Sequence, residues 1–494
     1  MKKDLTSREE NYSQWYLDVI QAADLADYSP VKGCMVIKPY GFSLWENIQK
    51  ILDTAFKAED VDNAYFPLFI PKSFLTREAE HVDGFAKECA VVTHTRLVEK
   101  DGDLVTAEES KLEEELIIRP TSETMINSMF SKWIQSYRDL PYKVNQWCNV
   151  VRWEMRTRLF LRTAEFLWQE GHTCHESSEE AEEFTLKMLD VYREFVESSL
   201  GIALYCGKKS ESEKFAGAED TYCIEAMMQD GKAVQAGTSH FLGQNFAKAF
   251  DTSFQGKDGK MHLVWQTSWG VSTRLIGTLI MSHSDDKGLV LTPAIAPFQV
   301  VIIPIGKKNV ENPELDETTE QLHRNFIKLG IRSKLDKRKH MSPGQKFGEW
   351  EKKGVPLRIE IGPRDLANKE AVLKVRYNDE KFSASIDELS DLIPKKLSEI
   401  QTAILENNRN RLIENTVEIE NWSELSEQLD NSKFVSCYWA NDDDAETRLK
   451  DELQATVRCI PFKFGSFDYH EVPDGAMSIC GKPALSRVII GRNY

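Results

Sequence analysis

The sequence predicts an α+β fold built on an antiparallel sheet, followed by two smaller α/β units. Three observations predict it. Between Gly33 and Asp286 helical segments are interleaved with short strands, two of which read as an antiparallel hairpin across a polar loop. Past Thr292-Pro-Ala-Ile-Ala-Pro297 the texture changes to a continuous apolar run, as expected of a strand buried on both faces. A last stretch mixes helices and strands and ends in another apolar strand at 487–490. A chain of 494 residues is about three times the usual domain size. The expected domains are 1–290, 298–405 and 410–494.

Each element has its own signal. Leu44, Ile48, Ile51, Leu52 and Ala55 recur at helical spacing. A β-rich run follows at 63–70, and its Pro67 fits an edge or interface, because proline cannot donate to a central ladder. Strands at 144–154 and 162–171 make the hairpin. The second unit reads as a strand at 298–305, a helix around 318–329 and a strand at Leu357–Ile361.

Side chains alternate faces along a strand, so Arg152 and Glu154 share a face, as do Phe166, Trp168, Glu170 and His172. Two large aromatics beside a glutamate suit neither a solvated strand nor a plain core strand, although an amphipathic strand with a chance salt bridge is the plainer alternative. Before them, in Ile118-Arg-Pro-Thr-Ser-Glu123, Thr121 fits an N-cap and Glu123 fits the positive end of a helix starting at Thr124. After them come Gln235-Ala-Gly-Thr-Ser-His240 and Gln266-Thr-Ser-Trp-Gly-Val-Ser-Thr-Arg274. There Gly270 lets a flat ligand approach backbone, and Arg274, one turn into a helix, offers a fork for phosphate oxygens. A glycine turn with a solvent-facing arginine accounts for that segment equally simply.

Together these pieces closely resemble the three signature motifs of class II aminoacyl-tRNA synthetases. In detail they resemble the prolyl-tRNA synthetases of the eukaryote-like and archaeal-like branch. The runs RPTSET, NQWCNVVRWE, EFLWQEGH, EKFAG, GTSHFLGQNF, GVPLR and GPRD carry this resemblance, which covers nearly the whole chain. It implies the class II synthetase fold, an anticodon-binding domain and a family-specific C-terminal domain. It also implies activation of proline by ATP with Mg²⁺, then transfer to proline tRNA.

The resemblance assigns roles by position. Residues 44–70 would form the first motif, with Pro67 at a homodimer interface. Arg152 would bind the α-phosphate and the amino-acid carboxylate, and Glu154 the adenine amino group. Arg162, Thr163, Ser272 and Arg274 would contact the bent ATP, with Gln235 and Thr238 on its ribose side. Thr121, Glu123 and Glu170 would receive the proline ammonium, and Phe166, Trp168 and His240 would wall its ring. Phe347, Glu351, Arg358 and Arg364 would meet the anticodon. Motif-like segments occupy much of the interval between His172 and Gln266, so no editing insertion is expected, and any proofreading of misactivated alanine or cysteine would come from a separate protein.

Charge and cysteines complete the reading. With 62 basic and 79 acidic residues the net charge is −17, so tRNA is expected to bind through local contacts rather than long-range steering. Arg332, Lys334, Lys337, Arg338, Lys339, Lys346, Lys352 and Lys353 form a basic run, a solvated face unless the resemblance makes it a tRNA stripe. Nine scattered cysteines suit free thiols in a reducing compartment. The polar N-terminus lacks a signal-peptide core, and no apolar stretch approaches the roughly 20 residues that span a bilayer, so a cytoplasmic protein is expected. Many relatives bind zinc near the C-terminus. Here Cys437 and Cys480 occupy two ligand positions but Asp442 and Ser478 the others, and Cys459 resembles a non-ligand position. That is a poor thiolate site, so no structural zinc is expected.

Overall fold

The computed structural model describes residues 5–77, 89–306 and 312–494. Helix Pro39–Ala58 starts with proline in its first turn, where the missing N–H costs nothing, and buries Leu44, Trp45, Ile48, Leu52 and Phe56 on one face. That face meets helix Ser178–Ser198, and Met188, Leu189, Tyr192, Phe195 and Val196 of the latter join the same core. Both helices cover one side of an antiparallel sheet.

The hairpin forms as expected but with shifted ends. Its strands are Tyr142–Val151 and Glu165–His175, paired Trp168 to Cys148 and Glu170 to Gln146. Arg152, Glu154, Arg162 and Thr163 therefore lie in the connecting loop, not on the strands. That loop is closed by reciprocal backbone bonds between Arg158 and Arg162 (2.6 and 2.9 Å). Its Arg158 guanidinium lies between the rings of Tyr16 (4.7 Å) and Tyr494 (5.2 Å). On its other edge the second strand pairs with Trp265–Ser272, placing Gly171 opposite Trp269. A Cβ at Gly171 would lie 2.1 Å from that indole, so the position admits no side chain.

The expected strand at 63–70 is broken. Asp62–Asn63 and Phe69–Pro71 are strands, and between them the Phe66 N–H is taken by the Gln146 side chain (2.6 Å) instead of a ladder partner. Thr121 is not an N-cap. Helix Glu123–Trp133 starts after Ser122, and the Thr121 hydroxyl bonds Glu123. The helix expected at 318–329 begins earlier, at Pro313, because Asn312 caps it by accepting from the Leu315 N–H (3.2 Å). Arg274 is the first residue of helix Arg274–His283 rather than a turn inside it.

The second unit has parallel strands Val300–Pro304, Ser333–Leu335 and Leu357–Ile361, extended by antiparallel Glu370–Val375 and Lys381–Ser385. It is fastened to the first by Arg332, which donates to the carbonyls of Ala296, Pro293 and Ala294 (2.8–2.9 Å), and by Arg376, which grips Asp285 (2.6 and 2.8 Å). The basic run is thus partly internal. Arg338 pairs with Asp336 and Glu349, and Lys346 is buried on the Asp336 carbonyl (2.9 Å).

The C-terminal strands extend the sheet of the first unit. Ala455–Pro461 pairs with Leu204–Lys208, so that eleven strands run continuously among the described residues. The approach is close enough that a Cβ on Gly207 would sit 2.2 Å from the Ile460 carbonyl oxygen. Replacing Gly207 by alanine is expected to cost about 2 kcal/mol or more, because that oxygen is backbone and cannot swing away. Equilibrium urea unfolding of the variant, beside Gly270→Ala as a control with looser surroundings, measures the loss.

Candidate active site

An open cleft of about 280 Å³ lies on the sheet where the hairpin, strand Ala233–Gly243 and strand Trp265–Ser272 meet. It gathers Thr121, Glu123, Arg152, Phe166, Trp168, Glu170, Gln235, Thr238, His240, Ser272 and Arg274 from distant stretches of sequence. Of the expected ATP and proline contacts, Glu154, Arg162 and Thr163 stand outside it. Arg162 bonds Glu154 (2.6 Å) in the loop, and Thr163 is buried with its hydroxyl on the Glu165 carbonyl (2.8 Å).

At one end of the cleft lies Glu170, 2% exposed. One carboxylate oxygen accepts from Ser122 (2.5 Å), Gln146 (2.9 Å) and, weakly, Cys148 (3.6 Å), while the other meets His172 Nε2 (3.1 Å). Burial would raise its pKa, but the His172 hydrogen bond and charge, with Ser122 and Gln146, hold it below the usual carboxylate value. Burial likewise acts to lower His172, and Glu170 overrides it, so the imidazole is raised.

Around this anion stand aromatic walls. Phe166 and Trp168 meet edge to face at 6.3 Å, and the Arg152 guanidinium lies over both rings at 5.5 Å. Arg152 also donates to the Pro120 carbonyl (3.0 Å), which aims it across the cleft. Opposite, His240 tilts against Phe215 (4.9 Å) and contacts the Thr221 hydroxyl (2.9 Å). Burial, then the nearby His172 charge, lowers its pKa to about 3, so it is a neutral wall near neutral pH. At the other end, Arg274 donates its Nε–H to the Leu161 carbonyl (3.0 Å) at the first turn of its helix, beside Ser272, Thr238 and Gln235. An ammonium acceptor with apolar walls thus opens into a cationic helix terminus suited to phosphate.

Sequence reasoning missed Ser122, Gln146, Phe215, Thr221 and Ser268. The signal for Gln146 was its place opposite Glu170 in the hairpin register, and Phe215 stood in the EKFAG run. Ser268 left no usable signal, since its place in the cleft depends on the pairing of strand Trp265–Ser272 with both neighbours.

The remaining expected residues fall elsewhere. In the second unit, Arg358 stacks on Phe347 (4.3 Å) and shares a small crevice with Glu351, while Arg364 lies on the separate helix Pro363–Ala367. In the C-terminal unit Ser478 bonds Cys480 (3.1 Å), but Asp442 is taken by Lys482 (2.6 Å). No group of three or more His, Cys, Asp or Glu able to hold a metal ion occurs among the described residues.

Comparison with known proteins agrees with this geometry. The family model for the tRNA synthetase class II core domain (G, H, P, S and T) matches residues 105–283, which makes the cleft-bearing unit a class II aminoacyl-tRNA synthetase core. An anticodon binding domain model matches 299–396, and a prolyl-tRNA synthetase C-terminal model matches 422–494. The proline--tRNA ligase of Bacteroides fragilis is 53% identical over 100% of this chain and 99% of its own length. That of Porphyromonas gingivalis is 52% identical over the same shares. The prolyl-tRNA synthetase of Cryptosporidium parvum complexed with L-proline and AMP superposes with a TM-score of 0.92 at 38% identity, covering 100% of this chain and 97% of that one. The chain belongs to the prolyl-tRNA synthetase family: it activates L-proline with ATP and transfers it to proline tRNA, releasing AMP and pyrophosphate.

The Glu170–His172 pair carries a signed pH prediction. His172 is raised above 6.5, so its contribution to stability is full below that value and is lost as pH rises through the folded pKa. Glu170 is lowered below 4.5, so its contribution is full above that value and is lost as pH falls through the folded pKa. His172→Leu is therefore expected to destabilise most between those two pH values, by about 3 kcal/mol, and less at high pH. Urea unfolding of both proteins at about pH 5.5 and about pH 9 checks this.

Proposed function

We propose the following division of roles in the reaction. Glu170, with Glu123 and Thr121, receives the secondary ammonium of proline, whose two donors match the free acceptor capacity at that end of the cleft. Phe166, Trp168 and neutral His240 wall the apolar ring. Arg152 lies between this pocket and the Arg274 end, so that it spans the proline carboxylate and the α-phosphate. The carboxylate attacks the α-phosphorus in line and expels pyrophosphate, a step that needs positioning and charge stabilisation more than a base. Arg274, at a helix N-terminus, takes the γ-phosphate, with Ser272 beside the nucleotide and Gln235 and Thr238 at the ribose. ATP enters as its Mg²⁺ complex. Glu154, Arg162 and Thr163 act from the loop, Glu154 and Arg162 by exchanging their mutual ion pair for adenine and phosphate. The observation that supports this reading best is the single cleft whose lining holds a buried carboxylate, a helix-terminal arginine and Arg152, which feels the charges of both.

The partition 1–290, 298–405 and 410–494 is retained as catalytic, anticodon-binding and C-terminal domains, with Phe347, Glu351, Arg358 and Arg364 at the anticodon. A homodimer is supported by exposed apolar side chains around Pro67, namely Tyr65 (75% exposed), Phe69 and Val91. The chain fits the branch without an editing insertion, because the interval between His172 and Gln266 is taken up by core strands and helices, so any editing of misactivated alanine or cysteine would fall to a separate protein. Structural zinc is not part of this reading, since Lys482 holds Asp442. A cytoplasmic location accords with nine scattered cysteines and with the lack of any helix, among the described residues, long and apolar enough to cross a membrane.

Arg152→Ala is expected to lower proline-dependent ATP–pyrophosphate exchange by about 100-fold or more while leaving thermal stability and tRNA binding near those of the parent. An active Arg152→Ala enzyme refutes the assignment. Tyr65→Lys together with Phe69→Lys is expected to yield monomers in sedimentation velocity, and a parent that is itself monomeric refutes the dimer.

A further inference from the structure

Residues paired across an antiparallel hairpin share a face, so Val144, Gln146, Cys148 and Val150 stand beside His172, Glu170, Trp168 and Phe166. Cys148 is the direct partner of Trp168 and the diagonal neighbour of Glu170. Its thiol touches both. The Trp168 indole Nε1–H donates to Cys148 Sγ (3.1 Å), and Sγ lies 3.6 Å from Glu170 Oε1. Cys148 does not itself line the cleft; it stands, half-buried, beside two groups that do.

The chemistry of the three groups fixes the direction of both bonds. An indole N–H only donates and an ionised carboxylate only accepts, so the thiol accepts from Trp168 and donates to Glu170. It must therefore carry its proton. Burial, then the Glu170 charge, raises its pKa to about 12, which keeps the proton in place near neutral pH. An indole has two broad orientations about its Cβ–Cγ bond, and turning it over carries Nε1 away from Sγ. The thiol thus selects the orientation in which Trp168 meets Phe166 edge to face at 6.3 Å and lies under the Arg152 guanidinium at 5.5 Å.

We propose that Cys148 is a positioning residue for proline binding: its thiol ties the Trp168 indole to the Glu170 carboxylate, so that the ring wall and the ammonium acceptor keep a fixed spacing. The inference rests on Trp168 walling the proline ring and on Glu170 receiving its ammonium.

The KM separates positioning from plain support. Lost support lowers the amount of folded enzyme and hence the apparent kcat, whereas a misplaced wall raises the KM for proline. In ATP–pyrophosphate exchange, Cys148→Ala is expected to raise the KM for proline about fivefold or more while changing the KM for ATP less than about twofold. Cys148→Ser, whose hydroxyl also accepts and donates, is expected to recover most of the loss. Cys148→Val fills the space on a strand without making either bond, so it repeats the test where the alanine variant folds poorly. In a Trp168→Phe background, which has no N–H to anchor, Cys148→Ala is expected to add less than about twofold. An unaltered KM for proline in Cys148→Val overturns the proposal, as does a Cys148→Ser variant no better than Cys148→Val. A full effect of Cys148→Ala without the indole N–H overturns it too. Trp168→Ala in the same assay identifies the source of a failure. If it raises the KM for proline while the Cys148 variants do not, the thiol is irrelevant. If it too leaves that KM unchanged, the ring-wall assignment itself falls.

Discussion

The site is organised around one buried anion. A carboxylate as secluded as that of Glu170 is stable in charged form only when its oxygens are occupied by donors. Those donors come from four directions in sequence: Ser122 ahead of a helix, Gln146 across the hairpin, Cys148 further along that strand, and His172 on the same strand face. Their convergence requires the antiparallel register that sets Glu170 opposite Gln146 and Gly270. It also requires a glycine at 171, where the Trp269 ring leaves no space. The sheet therefore fixes a charge, and the charge fixes which ligand group the cleft can hold at that end.

Much of this was legible in the residues. The alternation of Phe166, Trp168, Glu170 and His172 placed aromatic and ionisable groups on one face, and all four line the cleft. The apolar spacing of Leu44 to Leu52 gave a helix whose ends were then set by Pro39 and the turn after Ala58. Illegible features were those decided by partners far away in sequence. Thr121 resembles an N-cap locally, yet its hydroxyl is claimed by Glu123. The run at 63–70 has the composition of a strand, yet Gln146 supplies the bond that a ladder would have made.

The basic run of the second unit teaches the same lesson about charge. By sequence it was a stripe facing solvent or tRNA. Arg332 instead pins three carbonyls at the junction of the first two units, and Lys346 is buried. Guanidinium groups bond backbone carbonyls well because their five donors lie in a rigid plane. Composition reports the charges but not which are consumed by docking. With Arg376 on Asp285 and Gly207 against Ile460, these contacts join the three units into a continuous body.

The most direct test of the central claim removes the ligand's charge and keeps its shape. Tetrahydrofuran-2-carboxylate replaces the ring ammonium of proline by an ether oxygen. If Glu170 is the anion that selects proline, this analogue competes in ATP–pyrophosphate exchange about 100-fold or more less effectively than proline binds, and Glu170→Gln narrows that gap by weakening proline alone. Equal binding of analogue and proline to the parent enzyme, or a gap that persists undiminished in Glu170→Gln, would contradict it.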